Sequence, residues 1–188
     1  MNKNNYLRNL IGATSLLLTV AAFAQEYPAK PVRLVIGFPP GGANDIIARL
    51  IAPKLSESLG TNFIVENRPG ANAIIGTDHV AKAAPDGYTI GLAGLSPLVM
   101  TTFTYAKIPY DSINDFAGIT TVVMSPVLIV VHPALPARGL KELVALAKTQ
   151  PGKLDFGTAG AGGTTRMLIE LMILTAGSKI QAVAYKGA

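Results

Sequence analysis

Two glycine-rich loops hold most of the groups in this 188-residue chain that could do chemistry. The first is Phe38-Pro39-Pro40-Gly41-Gly42-Ala43-Asn44-Asp45, between an apolar run and an amphipathic one. Pro39 and Pro40 fix φ and carry no amide donor, whereas Gly41 and Gly42 can take positive φ and admit a partner close to the backbone. A helix opening directly afterwards adds unpaired N–H groups and the positive end of its dipole, so the loop suits a carboxylate or phosphate. A plain strand-to-helix turn is the alternative. The second loop, Gly157-Thr158-Ala159-Gly160-Ala161-Gly162-Gly163-Thr164-Thr165, repeats this chemistry. Its glycines expose amides, Thr158, Thr164 and Thr165 offer hydroxyls, and a helix again follows. Here the alternative is a flexible loop capped by Thr164.

Asp45 poses a question of its own, because a carboxylate beside an anion-binding loop repels the anion. Either Asn44 or Asp45 caps the helix, or Asp45 meets an ammonium group or other donor of a ligand. Neither loop is a nucleotide motif. Gly163 is followed by Thr164 without the Lys of a phosphate-binding P-loop, and Thr165 stands where a dinucleotide fingerprint needs glycine. No Gly-x-Ser-x-Gly elbow surrounds Ser96 or Ser125, and His79 and His132 have no spacing that suggests a metal pair or catalytic dyad. The expectation is a binding protein rather than an enzyme, with no cofactor and no metal.

The elements that must position these loops alternate. Residues 32–38 are nearly continuously apolar, which predicts a strand buried on both faces of a parallel sheet. Ile46, Ile47, Leu50, Ile51, Leu55 and Leu59 recur at helical spacing, Gly60 is a stop, and Pro53 predicts a kink or a loosened turn. A second strand over 62–66, a turn-rich loop over 67–72 and a helix over about 74–83 repeat the unit. Pro85-Asp86-Gly87 then predicts a turn into a third strand over 88–92. Such alternation predicts an α/β fold with a parallel sheet whose ligands sit at the carboxyl ends of the strands. Residues 94–115 read as loop with some short helix. Two β-branched runs, 117–124 and 127–131, read as a long extended passage between lobes. A helix over about 140–149, a short strand at 154–156, a helix over about 165–176 and a strand over 180–185 complete the pattern.

The amino terminus has the layout of a cleavable signal peptide: Lys3 and Arg8, an apolar run over 10–24, and Ala22-Phe23-Ala24 before Gln25. The run is well short of the roughly 20 apolar residues that span a bilayer. With Lys3 and Arg8 removed, fourteen of the sixteen basic groups face eleven acidic ones, a net of +3. This scattered excess lacks the basic stripe that nucleic acid requires and weakly favours small anions. The chain has no cysteine, which excludes disulfides, thiolate metal sites and a lipidated Cys anchor.

Several blocks in order resemble one family, the substrate-binding (Bug) receptors of tripartite tricarboxylate transporters. They are Tyr27-Pro28-Ala29-Lys30-Pro31-Val32-Arg33, Phe38-Pro39-Pro40-Gly41-Gly42 with Asp45, Val65-Glu66-Asn67-Arg68-Pro69-Gly70 and Ala81-Lys82-Ala83-Ala84-Pro85-Asp86-Gly87-Tyr88-Thr89. Pro109-Tyr110-Asp111, Asp115-Phe116, Pro151-Gly152-Lys153-Leu154 and Tyr185-Lys186-Gly187 follow in register. The resemblance implies a two-lobed Venus-flytrap fold of the type II periplasmic-binding-protein kind, with residues 1–24 a signal peptide, 25–124 a first lobe and 125–188 a partial second lobe. It implies a periplasmic monomer that captures a small carboxylate and presents it to the membrane permease subunits of such a transporter. Carried over residue by residue, Phe38, Gly41, Gly42, Ala43, Asn44 and Asp45 come from the first lobe, Ser96 from the next loop, and Thr158, Thr164 and Thr165 from the second lobe. Three departures accompany it. Ala93-Gly94-Leu95-Ser96-Pro97 replaces a hydroxyl-rich loop ending in Asn-Pro, Arg166 stands where a His is common, and the family continues for much longer than this chain. An exported α/β enzyme, a sensory module and a nonfunctional truncated remnant are the alternatives.

Overall fold

A computed structural model describes residues 27–185. The expected signal peptide and the Lys186-Gly187 block lie outside the described residues. The central element is β1 (Val32–Ile36), flanked in parallel by β2 (Phe63–Asn67) and β3 (Thr89–Leu92) in the order β2-β1-β3. Four of its five residues are buried, as a strand covered on both faces requires. Leu34 and Ile36 point to one face, where Ala48 and Ala52 of α1 (Ala43–Leu59) join them in the core, ringed by Phe38, Ile51, Phe63, Val65, Ile90 and Leu92. The two alanines let the helix approach the sheet closely. Arg33, Val35 and Gly37 point to the other face, which α2 (Ile74–Ala81) covers through His79 and Gly76.

Pro53 does not interrupt α1, which runs unbroken to Leu59 and stops at Gly60 in the left-handed conformation (φ 66°). Whatever kink or loosened turn Pro53 imposes, the helix is continuous through it. Proline withholds only the amide that would reach the Arg49 carbonyl, and Arg49 lies on the exposed side, where water can serve that group. Ser56 fastens the end of the helix, donating to Ala52 O (2.9 Å) and accepting from the Phe63 amide (2.9 Å).

Beyond β3, a single π turn (Ser96–Met100) leads into α3 (Thr101–Thr104), in line with the expected loop and short helix. Thr101 donates to Pro97 O (2.8 Å), the Tyr110 hydroxyl donates to the same carbonyl, and the Tyr110 ring meets Phe116 edge-on at 5.7 Å. Residues 116–132 form no strand, and 117–134 are exposed throughout. The two β-branched runs thus join no ladder among the described residues. After α4 (Leu140–Thr149), a second unit comprises β4 (Asp155–Ala159), α5 (Thr164–Ala176) and β5 (Gln181–Tyr185), with β4 and β5 paired in parallel. The short strand expected at 154–156 continues to Ala159, so Gly157, Thr158 and Ala159 belong to a strand and the loop proper is Gly160 to Gly163.

Candidate functional site

Every strand of the main sheet runs the same way, so the segments that follow β1, β2 and β3 emerge at one edge. The first, between β1 and α1, is held by Asp45. Its carboxylate accepts from the Gly41 amide (2.9 Å), from Arg49 Nε (3.0 Å) and from Asn67 Nδ2 (2.9 Å). Asn67 also donates to Phe38 O (3.1 Å) and accepts from Arg49 Nη2 (3.2 Å). The helix cap is Gly42, with extended backbone and no side-chain cap, so the expectation that Asn44 or Asp45 caps α1 is corrected. Asp45 sits one turn inside and reaches back, as an acidic residue at this position does in a capping box. Its oxygens are filled within the protein. Gly41 has its amide committed to Asp45, whereas the amides of Gly42, Ala43 and Asn44 have no acceptor among the described residues.

The hydrogen bond from Arg49, then those from Gly41 and Asn67, hold the Asp45 carboxyl at about 2 against an ordinary 3.8. A folded-state value below the unfolded one adds stability that is complete above about pH 4 and is lost as pH falls towards 2. Asp45→Asn keeps an acceptor for Gly41 but has no charge to titrate. Its melting temperature is therefore expected to fall less steeply between pH 4 and pH 2 than that of the parent. Circular dichroism melts across that interval decide it, and parallel slopes would contradict the assignment.

The second segment, after β2, was not singled out for chemistry by its sequence. Ala71, Asn72 and Ala73 take three successive positive φ angles of 47°, 54° and 72°. Left-handed backbone costs an L-residue about 1–2 kcal/mol, with Asn the most tolerant of the two types present. Asn72 in a turn-rich loop was the available signal. Its Nδ2 donates to the Tyr105 hydroxyl (2.9 Å).

The third segment and the loop after β4 meet these residues. Thr104 Oγ1 is shared between Met100 O (3.0 Å) and Gly162 O (3.2 Å), a direct bond from the main sheet's half of the molecule to the second glycine loop. A methyl on Gly162 would meet Thr104 Oγ1 at 2.7 Å, one on Gly163 would meet the Ser96 hydroxyl at 3.3 Å, and one on Gly160 would strike the Asn72 amide. Glycine is required here by close approach. Ser96 is thereby brought to the second loop, together with Asn72, Thr104 and Tyr105. No hydrogen bond joins residues 39–44 to 158–165 among the described residues.

Within the second loop the hydroxyls differ. Buried Thr158 donates inward, to Gly160 O (3.3 Å) and Val183 O (3.4 Å). Thr165 Oγ1 accepts from the Ala159 amide (3.1 Å), which ties the loop to the start of α5. The cap of α5 is Gly163 rather than Thr164, which is the first helical residue and whose hydroxyl has no partner among the described residues. Arg166 turns to its own unit, with Nη1 on Ala182 O (3.2 Å) and Nη2 on Glu170 (2.6 Å).

The histidines belong to other arrangements. His79 lies against Arg33, whose Nε holds Glu66 (2.9 Å) beside Arg68 (2.6 Å). Burial, then the charges of Arg68 and Arg33, push the His79 imidazole below its ordinary range. His132 Nδ1 accepts from the Ala134 amide (3.1 Å). Among the described residues no group of three His, Asp or Glu could hold a metal ion, and no helix is long and apolar enough to cross a membrane. What converges at the sheet edge is backbone amides, hydroxyls and an amide side chain, a set that recognises oxygen-rich anions.

Known proteins resemble this chain in sequence and fold. Residues 47–188 match the profile of the family described as Tripartite tricarboxylate transporter family receptor. BugT of Bordetella pertussis is 39% identical over 165 residues, covering 87% of this chain and 51% of BugT. Two solved Rhodopseudomonas palustris proteins superpose on it. MatC with bound malate does so at TM-score 0.76 and 27% identity, over 86% of this chain and 55% of MatC. Rpa4515 with adipate does so at 0.70 and 32%, over 86% of this chain and 54% of Rpa4515. A periplasmic transporter structure, 35% identical at TM-score 0.73, shares the α/β fold. The chain spans about half the length of the curated relatives it matches.

Proposed function

This chain belongs to the tripartite tricarboxylate transporter receptor family, and on that premise we propose that it captures a small di- or tricarboxylate for delivery to the permease subunits of such a transporter. The observation that carries the proposal is the first glycine loop. The amides of Gly42, Ala43 and Asn44 stand without acceptors at the amino end of a 17-residue helix, and Asp45 holds the turn that presents them. Helix dipole and amide donors together favour one carboxylate at this point. The Thr164 hydroxyl and the amides of Ala161 to Gly163 answer from the other side, with Ser96 between, while the Gly160 amide is committed to Tyr185 O (2.8 Å). Thr158 and Thr165 support that loop from within, and Phe38 anchors the first loop in the core.

The same proposal places the protein in the periplasm as a monomer, with residues 25–124 and 125–188 as two lobes closing on the ligand. The family and the fold are those of binding proteins rather than enzymes. Malate and adipate, bound by the two solved R. palustris proteins, are the first ligands to try. Isothermal calorimetry with each, against the corresponding diamide, tests the reading. Saturable heat with a dissociation constant in the roughly micromolar to millimolar range for the acids alone is expected. Equal response to the diamides, or turnover of an acid in the cell, would sink it.

A further inference from the structure

Two sequence blocks take no part in the carboxylate site, Pro109-Tyr110-Asp111 and Asp115-Phe116. Together they form one self-braced turn. The Asp111 amide donates to Asp115 Oδ2 (2.7 Å). The Asp111 carboxylate accepts from the amides of Ile113 (2.8 Å) and Asn114 (3.1 Å) and from Asn114 Nδ2 (2.7 Å). Asp111, Ile113, Asn114 and Asp115 are exposed, whereas Tyr110 is buried, with Phe116 edge-on to its ring. The turn thus holds one side chain inward, and the hydroxyl of that side chain donates to Pro97 O.

Pro97 O lacks its ordinary donor. In an α-helix the Thr101 amide would reach back four residues to that carbonyl. Here it reaches back five, to Ser96 O, which makes residues 96–100 a π turn. Pro97 is fully buried, and a buried carbonyl left without a donor is costly. The Thr101 hydroxyl (2.8 Å) and Tyr110 serve it instead. A threonine hydroxyl bonds the carbonyl four residues back in ordinary helices too, so the tyrosine is the donor particular to the π register. Burial pushes the Tyr110 phenol above its ordinary range and keeps it a protonated donor.

The register decides where two other hydroxyls point. Thr104 lies eight positions beyond Ser96, and at about 100° per residue an unbroken α-helix would set the two about 80° apart. A π turn takes up one extra residue and brings them to within about 20° of each other. Both then meet the second glycine loop. Thr104 Oγ1 donates to Gly162 O (3.2 Å), and Ser96 Oγ lies 3.3 Å from where a methyl on Gly163 would stand.

We infer that Tyr110 is a positioning residue of the carboxylate site: by filling Pro97 O it holds the π register that turns Ser96 and Thr104 together onto Gly162 and Gly163. Its effect on affinity rests on the ligand reading above, whereas its hold on the register does not.

Scalar couplings across hydrogen bonds, measured by NMR on the isotope-labelled full chain, read the register directly. In the parent the Thr101 nitrogen is expected to couple to the Ser96 carbonyl carbon. Tyr110→Phe removes the hydroxyl and keeps the ring, and in it that coupling is expected to weaken while one to the Pro97 carbonyl carbon takes its place. Phe116→Leu loosens the same ring but leaves the hydroxyl, and is expected to keep the parental coupling. A parent without the Ser96 coupling overturns the inference whatever the variants do. So does a Tyr110→Phe chain that keeps the π register, or a Phe116→Leu chain that loses it. Calorimetry with malate and with adipate tests the link to the site. Tyr110→Phe is expected to weaken binding by about tenfold in the parent, but by about twofold at most when Ser96→Ala and Thr104→Val are already present, because it acts through those hydroxyls. Equal loss in both backgrounds, or unchanged affinity where the register has switched, overturns that link. Should neither acid bind the parent, the ligand reading fails, and the couplings alone still decide whether Tyr110 holds the register.

Discussion

Gly76→Ala is expected to destabilise the protein by about 1–3 kcal/mol, even though alanine is by about 1 kcal/mol the better helix former. The reason is what surrounds the site. A methyl on Gly76 would lie 2.7 Å from Gly37 Cα, 3.0 Å from Arg68 O and 3.2 Å from Gly37 N. All three are backbone atoms, so no side chain can rotate away. Gly37 is locked reciprocally, since a methyl there would strike Ala73. The pair brings the exit of β1 and the start of α2 into backbone contact, and any shift displaces the loop that Gly37 leads into. For a chain of this size the melting temperature is expected to drop by about 2–4 °C for each kcal/mol. Ligand affinity is expected to fall with it. A thermal melt unchanged or raised would mean that the two backbones are not in contact.

Ala43→Pro is expected to have the larger effect on binding and almost none on stability. Ala43 is exposed and is the first residue of α1, where proline is favoured because the amide it lacks is unused by the helix. Gly42 before it is extended (φ −77°, ψ 170°), the conformation a residue preceding proline adopts. The substitution therefore deletes one donor of the candidate cradle and leaves the fold alone. A charge-assisted hydrogen bond contributes about 1.5–3 kcal/mol, so the dissociation constant for a dicarboxylate is expected to rise about ten- to hundredfold. Calorimetry beside a thermal melt separates the outcomes. Unchanged affinity in a variant with the parental melt would remove this amide from the site.

What the sequence discloses depends on how local the deciding interaction is. The central strand is legible in residues 32–38, because burial on both faces requires an unbroken apolar run. Gly60 is equally legible as a helix stop, since its left-handed φ is a single-residue property. Asp45 is not. Its position invites a cap, but its role is set by Asn67, 22 residues away, and by a reach back to Gly41. Ala71 and Ala73 oppose alanine's own preference, so only packing against Gly37 and the neighbouring loops can hold them left-handed. Pro53 is accommodated without ending the helix, because its missing bond falls on a wet side of it. Glycines 160, 162 and 163 are visible as a loop, but the demand that Asn72, Thr104 and Ser96 place on them is tertiary.

The Asp45–Arg49 pair, closed at 3.0 Å beneath the first loop, has one more consequence. The two opposite charges cancel, so the cradle offers an incoming anion oriented amide dipoles rather than net charge. Dipole fields die away with distance faster than those of ions. Recognition built this way acts at contact and not at range, and arrival of the anion owes little to long-range attraction from this loop.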